Sequence, residues 1–242
     1  MNTKGYLFTF EGIDYAGKST VVKALTQKLI QKGFNVSTAK FYEPGGTPYA
    51  DLLRSFIKKT QDTEFAQTKL TNLQETIQMT DMSPLGQSLS FFCAREDQFY
   101  TKIKAEIETG KIVILDRSVD STAVYQGHAQ NPKLLPWIRQ TNALILEQSD
   151  LHITQTYLID ITMDERQKRM ASRGIDKLDR FESKGDEFAK KIRLGYLAEE
   201  DYYSTLPKND PQHKRIIIID GCRTTQEIVL EIYEQMIEIL TD

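Results

Sequence analysis

Several features are scarce in this 242-residue sequence, and each scarcity removes a class of protein. Only two cysteines occur, Cys93 and Cys222, far apart and with neither CxxC spacing nor a histidine cluster beside them. That argues against both a disulfide scaffold and a zinc site. No uninterrupted apolar run approaches the roughly 18–20 residues a bilayer span requires, so no membrane partner is expected. The opening Met1-Asn2-Thr3-Lys4-Gly5 lacks the basic-then-apolar plan of a secretory leader, and a cytoplasmic location is the expectation. Charge of either sign is not in excess: 31 Lys+Arg face 34 Asp+Glu, a formal net charge of −3. A dedicated nucleic-acid binder would be basic, so no nucleic-acid partner is expected either. With 40% apolar and 27% charged residues, the composition also excludes global disorder. One α/β domain, a class that runs to about 250 residues around a single core, fits the length better than two.

What is present is an alternation of short β-rich runs and longer helical ones. Tyr6–Phe10 reads as a strand, and Val21, Val22, Leu25 and Leu29 then share one face of a helix ending near Gly33. Asn35–Lys40 is a candidate second strand, and Leu52, Leu53, Phe56 and Ile57 mark a second helix. Leu89, Phe92, Ile103 and Ile107 belong to a long helical region closed by Gly110. Ile112–Asp116 is apolar on both faces, as a central parallel strand must be. Thr156–Asp160 and Ile216–Asp220 complete the strands, and a final helix runs from Thr224. Strand–helix alternation of this kind predicts an α/β fold: a five-stranded parallel sheet covered by helices on both faces. Two stretches depart from the rhythm. Thr60–Gln87 is polar, rich in Thr and Gln, and reads as an insertion. Arg173–Lys184 is a charged run between helical segments.

Gly12-Ile13-Asp14-Tyr15-Ala16-Gly17-Lys18-Ser19 matches G-x-x-x-x-G-K-[ST] in full, between a predicted strand and a predicted helix. In such a loop the backbone N–H groups converge, and the following helix adds the positive end of its dipole. Lys18 supplies a point charge for the β- and γ-phosphates, and Ser19 a hydroxyl ligand for Mg²⁺. Asp116, ending an apolar strand, stands where a Mg²⁺ carboxylate belongs, and Arg117 follows at the end of the sheet where open α/β folds bind ligands. The sequence therefore predicts nucleoside triphosphate binding with Mg²⁺. A regulatory GTPase would need a second DxxG and an NKxD; the only DxxG lies inside the phosphate loop, and Asn-Lys never occurs. A mechanical ATPase would usually carry Asp-Glu where this chain has Asp116-Arg117. A small-molecule kinase is the leading class.

At this point the residues resemble one family closely, thymidylate kinase in its bacterial form. The similarity runs from Phe10–Thr20 through Glu43–Pro48 and Leu53-Arg54. It continues with Phe91–Arg95, Val113–Arg117, Val119–Thr122 and Tyr125–Gly127. It ends with Thr156–Asp160, Leu178–Glu182 and Ile219–Gly221. These blocks keep the family's order over nearly the whole chain, Thr60–Gln87 being the clearest unmatched stretch.

The resemblance implies a single nucleoside monophosphate kinase domain, the small-molecule substrates ATP and dTMP, and a homodimer. It implies transfer of the γ-phosphoryl of ATP to dTMP, with Mg²⁺ held at Ser19 and Asp116. Gly12 through Thr20 would bind ATP. Arg117 would contact the acceptor phosphate, which a guanidinium can do bidentately. Phe91 would stack on thymine and Arg95, one turn later, would meet the base edge. Arg54, Thr122 and Gln126 would line the base, Tyr125 would lie beside the sugar, and Asp14 would face the 3′-hydroxyl. Glu43 is the acceptor-loop carboxylate, and Gly221-Cys222-Arg223 lies near the adenine. Arg173 and Arg180 fall in the lid segment, about 173–184, and would supply the cation at the transferring phosphoryl.

The sequence departs from the family's pattern in places. Tyr15 is uncharged where some relatives carry a basic residue, Ser118 replaces an aromatic or His, and Tyr42 replaces an Arg. A deoxynucleoside kinase remains the nearest alternative, because Asp116-Arg117-Ser118 and Glu43-Pro44 also suit that chemistry.

Overall fold

The computed structural model describes residues 4–58, 82–173, 181 and 184–241, the side chains of 55–58 and 173 excepted. Strand β1 (Tyr6–Glu11) is buried along five of its six residues and occupies the centre of the sheet. Strands β2 (Phe41–Tyr42), β3 (Ile112–Asp116), β4 (Ile153–Asp160) and β5 (Ile216–Asp220) join it in the order β2-β3-β1-β4-β5, every pair parallel. The expected five-stranded parallel sheet is thus present. Continuous apolar runs, not alternating ones, are the signature of strands covered on both faces.

Helix α1 (Lys18–Gln31) buries Val21, Leu25 and Leu29 against one face, together with α9 (Thr225–Thr241), which contributes Ile228, Ile232 and Met236. The opposite face is covered by α3 (Pro84–Gln98), its π-helical continuation Phe99–Ile103, and α6 (Leu135–Gln148). Helices α2 (Pro48–Lys58), α4 (Lys104–Glu108), α5 (Val119–Thr122), α7 (Met163–Arg173) and α8 (Gly185–Thr205), with a π-helical segment Ala123–His128 and a 3₁₀ turn Pro132–Leu134, complete the described elements. Ser83 caps α3, its hydroxyl accepting from Gly86 N at 3.1 Å ahead of a proline-led first turn.

One local reading changes and one helix was not foreseen. Asn35–Lys40 is not a regular strand: Val36 makes one isolated bridge to Ile112, and Ala39 N donates to the Ser37 hydroxyl at 3.3 Å. Only Val36 offers much apolar surface there, and a serine that bonds its own backbone competes with the ladder. The paired strand is the next two residues. The long helical region expected through Leu89, Phe92, Ile103 and Ile107 is present as α3, the π-helical turn Phe99–Ile103 and α4, with Phe92, Phe99 and Ile103 buried and Leu89 exposed. Helix α6 has no counterpart in the sequence reading, although Pro136 in its first turn and buried Ile138 and Ile145 mark it. Residues 59–81 of the unmatched polar stretch lie outside the described residues, whereas Pro84–Gln87 forms the first turn of α3 and Gln87 is fully buried.

The register fixes the functional end. Phe10 pairs with Asp116 and Tyr42 with the same Asp116, so the loops after β1, β2 and β3 leave the sheet side by side. Parallel sheets of this kind bind ligands where the chain leaves the carboxyl ends of neighbouring strands in different directions.

Candidate active site

The loop after β1 turns tightly enough to need unusual backbone. Gly12 (φ 141°) and Gly17 (φ 91°) take positive φ, and so does Tyr15 (φ 71°), which is not a glycine. A Cβ on Gly12 would run into the Ile159 carbonyl oxygen, so that position admits no side chain. Lys18, in the first turn of α1, is buried and donates to Gly12 O and Ile13 O at 3.0 Å each. Burial, with Arg117 adding repulsion, lowers its pKa to about 8, so the ammonium still carries its charge at neutral pH. Ser19 donates to Asp116 Oδ2 at 2.5 Å, bringing the hydroxyl and the carboxylate together across 97 residues of chain.

Arg117 also adopts positive φ (68°), its N–H bonding to Phe10 O at 2.9 Å. A non-glycine residue held in the left-handed region costs of order 1–3 kcal/mol and is retained where the surroundings over-determine it. Here they do. The guanidinium donates to Asp14 Oδ1 at 2.5 Å, Gly12 O at 3.1 Å and Tyr196 OH at 2.9 Å, with the Tyr125 ring beneath it at 5.2 Å. Burial opposes the cation, but Tyr125, Tyr196, Asp14 and Glu11 outweigh it and hold Arg117 well above its usual range. The Tyr125 hydroxyl donates to Asp14 Oδ2 at 3.2 Å. Phe181, within the lid block, packs edge-on against the Tyr125 ring at 5.4 Å.

Beneath this layer lies a carboxylate to which sequence reasoning gave no role. Glu11 ends β1, is 1% exposed, and accepts from Ser118 N at 2.7 Å, Ser121 Oγ at 2.7 Å and Tyr196 OH at 2.9 Å. Burial, reinforced by Asp120, raises its pKa to about 7. An acid whose folded pKa is raised contributes stability that is full below its ordinary value of 4.5 and is lost as pH climbs through about 7. Between pH 5 and 8 the thermal midpoint of the wild-type protein should therefore fall more than that of Glu11→Gln. Parallel profiles would show that Glu11 is ionised throughout. A Glu ending an apolar strand beside the phosphate loop was the available signal; Tyr196, 185 residues away on α8, left none.

Asp120 anchors the segment that carries these groups. It is buried against Arg215, whose Nη2 donates to Asp120 Oδ1 at 2.5 Å while Nη1 donates to Thr156 Oγ1 at 2.7 Å. Opposite stands Arg95 on α3, fully buried. Its Nε and Nη2 grip both oxygens of Glu43 at 2.5–3.0 Å, Nη1 donates to Asn142 Oδ1 at 2.6 Å, and Nη2 also reaches Thr122 Oγ1 at 2.9 Å. Burial raises the Glu43 pKa, with Arg95 opposing. Gln126 Nε2 donates to Gln87 Oε1 at 3.1 Å, and Gln126 Oε1 is buried with no partner among the described residues. Gln87, Phe91 and Arg95 recur every four residues, so α3 turns one face toward Thr122 and Gln126 with half-buried Phe91 between the two contacts. Arg54 donates to Pro44 O at 2.9 Å and lies over the Tyr42 ring.

Of the predicted site residues, the structure brings Asp14, Lys18, Ser19, Asp116, Arg117 and Tyr125 into one cluster and Glu43, Arg95 and Thr122 into a second beside it. Arg180 and the Arg173 side chain lie outside the described residues. Arg169 was missed: it donates to Ala16 O at 3.0 Å and Gly221 O at 2.7 Å, joining the phosphate loop to the loop after β5.

A family model described as thymidylate kinase matches residues 10–74 and 61–232. The chain belongs to the thymidylate kinase family. Its activity is accordingly that of an ATP-dependent kinase of this family. It is 32% identical to a thymidylate kinase of Thermoanaerobacter sp. (strain X514), covering 96% of this chain and 97% of that protein. A thymidylate kinase of Chlorobaculum parvum is also 32% identical, covering 92% of this chain and 91% of its own length. One from Exiguobacterium sibiricum is 28% identical over 98% and 96%. Among the described residues no helix is long and apolar enough to cross a membrane.

Proposed function

We propose that this thymidylate kinase transfers the γ-phosphoryl of ATP to dTMP, giving dTDP and ADP, from the loop Gly12–Thr20 to an acceptor phosphate met by Arg117. The observation that carries the reading is Arg117 itself, aimed by a left-handed backbone across the phosphate loop and tied to Asp14 and Tyr196. An acceptor that is already an anionic phosphate needs no general base, only alignment and neutralised charge. Glu43 fits that division of labour, because Arg95 occupies both of its carboxylate oxygens. The free acceptor atom of Gln126, facing the same wall as Phe91, suits a pyrimidine base that presents an N–H. Tyr125, bonded to Asp14, takes the place beside the sugar.

Ser19 and Asp116 are the residues for Mg²⁺. A hydroxyl and a carboxylate in direct contact make a hard oxygen pair, and Mg²⁺ takes one or two protein oxygens and fills the rest of its shell with phosphates and water. The ion neutralises charge on the triphosphate when bound. Arg173 and Arg180 are retained as the cations of the lid. The domain is read as one unit, with the insertion at 60–87 leading into α3. A homodimer is supported by an open groove between α2, α3 and α6, lined by exposed Tyr49 with Phe92, Thr141 and Ile145, and by Leu89 and Leu144 exposed on α3 and α6, and the cytoplasm suits its substrates.

The deciding assay measures ADP release with ATP-Mg²⁺ and, side by side, dTMP and thymidine. Turnover with dTMP at least about 10²-fold above that with thymidine is expected, since Arg117 offers a cation for a phosphate while the acceptor-loop carboxylate Glu43 is taken by Arg95. Turnover with thymidine alone would make this a nucleoside kinase.

A further inference from the structure

The phosphate loop has no cation at its third variable position, where Tyr15 stands, yet a cation does lie over that ring. It comes from another element. Arg166, in the first turn of α7, holds its guanidinium carbon 5.5 Å from the Tyr15 ring centre. The residue is 3% exposed, which is rare for arginine and costly unless its charge is used. It forms an ion pair with Asp186 at the start of α8, whose side chain is 47% exposed and receives Nη1 at 2.5 Å. Arg166 Nε is buried with no partner among the described residues.

The pin between α7 and α8 does not require this charge. Gln167, the neighbouring residue, already donates to the other Asp186 oxygen at 2.7 Å. Instead the Arg166 side chain lines a small enclosed cavity with Ile13, Asp14, Tyr125, Phe181 and Ile192. Asp14 and Tyr125 are the groups that hold Arg117, so the buried guanidinium looks from α7 into the space beside the acceptor-binding cluster.

We propose that Arg166 is a further catalytic residue of this kinase, supplying from α7 the positive charge that Tyr15 withholds from the phosphate loop and donating to the oxygens of the phosphoryl group in transfer. This rests on the ATP-to-monophosphate reading above. In that transfer the bond between the γ-phosphorus and the bridging oxygen of ADP breaks, its electron pair leaving with ADP. A new bond forms from an anionic oxygen of the acceptor phosphate to the same phosphorus, and no proton has to move. Arg166 forms no covalent bond. Negative charge spreads over the equatorial oxygens of the moving group, where a guanidinium's planar fork gives more than a point charge. The Tyr15 face orients the guanidinium plane, and Asp186 fixes one nitrogen from the solvent side.

The test compares steady-state kinetics of the wild-type enzyme, Arg166→Gln and Arg166→Lys with ATP-Mg²⁺ and dTMP. Arg166→Gln keeps a donor for Asp186 without the charge. Its kcat should fall about 10²-fold with both KM values within about threefold, because the contact is made in the transition state. Arg166→Lys, a charge without a fork, should remain at least about tenfold below wild type. A kcat for Arg166→Gln within about threefold of wild type overturns the proposal, as does a loss that appears only as raised KM. Should Arg166→Gln fail to fold, Arg166→Lys decides, and wild-type kcat in that variant overturns the proposal. The wild-type control separates the two readings. Turnover of dTMP without dependence on Arg166 overturns this inference alone, whereas no wild-type turnover of dTMP overturns the function on which it stands and this inference with it.

Discussion

Arg117→Ala should lower kcat/KM for dTMP by about three orders of magnitude, or about 4 kcal/mol of transition-state stabilisation. The guanidinium is held by four acceptors at once: Asp14 Oδ1, Gly12 O, Tyr196 OH and, at 3.4 Å, Ser121 Oγ. That orientation is established before substrate arrives, and a preorganised donor is worth most where charge develops. Arg117→Lys should recover no more than about a tenth of the activity, since an ammonium cannot span those acceptors and still present two parallel donors to a phosphate. The left-handed φ of 68° remains in both variants, so the backbone strain is carried without the contacts that justify it. Kinetics with circular dichroism on both proteins provides the check. A lysine variant retaining more than about half the wild-type kcat/KM would show that Arg117 acts as a simple point charge.

Breaking the Arg95–Glu43 pair should be the most destabilising change in the acceptor half of the site. Removing one partner of a buried pair leaves the other charged and unsolvated, at a cost of about 3–5 kcal/mol. Both side chains are almost fully buried, at 0% and 4% exposure, so solvent screening offers little relief. Arg95→Met alone should therefore shift urea unfolding by about that amount, and Glu43→Gln alone by less because a neutral amide still accepts from the arginine. The double variant Arg95→Met with Glu43→Gln should be more stable than the sum of the two singles predicts, because it strands no charge. Additive losses would mean that the two groups are not coupled. The same geometry bears on the base-edge role that the family resemblance assigns to Arg95. Four acceptor groups already take its donors, and only one Nη1 N–H has no acceptor among the described residues. Contact with the base would run through that single donor.

Legibility in the sequence followed the range of the interaction involved. The phosphate loop was readable because its function lies in eight consecutive residues, and the structure adds only that Tyr15 shares the positive φ of the glycines. Strands β1, β3 and β4 were readable because apolar runs at the sheet centre leave no other interpretation, and edge strand β5 because four consecutive isoleucines favour extended backbone. Asn35–Lys40 misled because a single apolar residue, Val36, was weighted as a strand when a serine–backbone bond there already satisfies the chain.

The sequence by itself determined the parallel sheet, the phosphate-loop motif, the expectation that Ser19 and Asp116 share one site, and the family, through blocks of residues whose order survives along the chain. Tertiary structure alone decided that Glu11 and Tyr196 orient Arg117, that Glu43, Asn142, Ser118 and Thr122 take all but one of the Arg95 donors, and that Arg166 stands over Tyr15. Those contacts join positions up to 185 residues apart. Local pattern encodes backbone geometry and which face is buried; which polar groups meet is settled only when folded elements pack and each buried charge finds a partner.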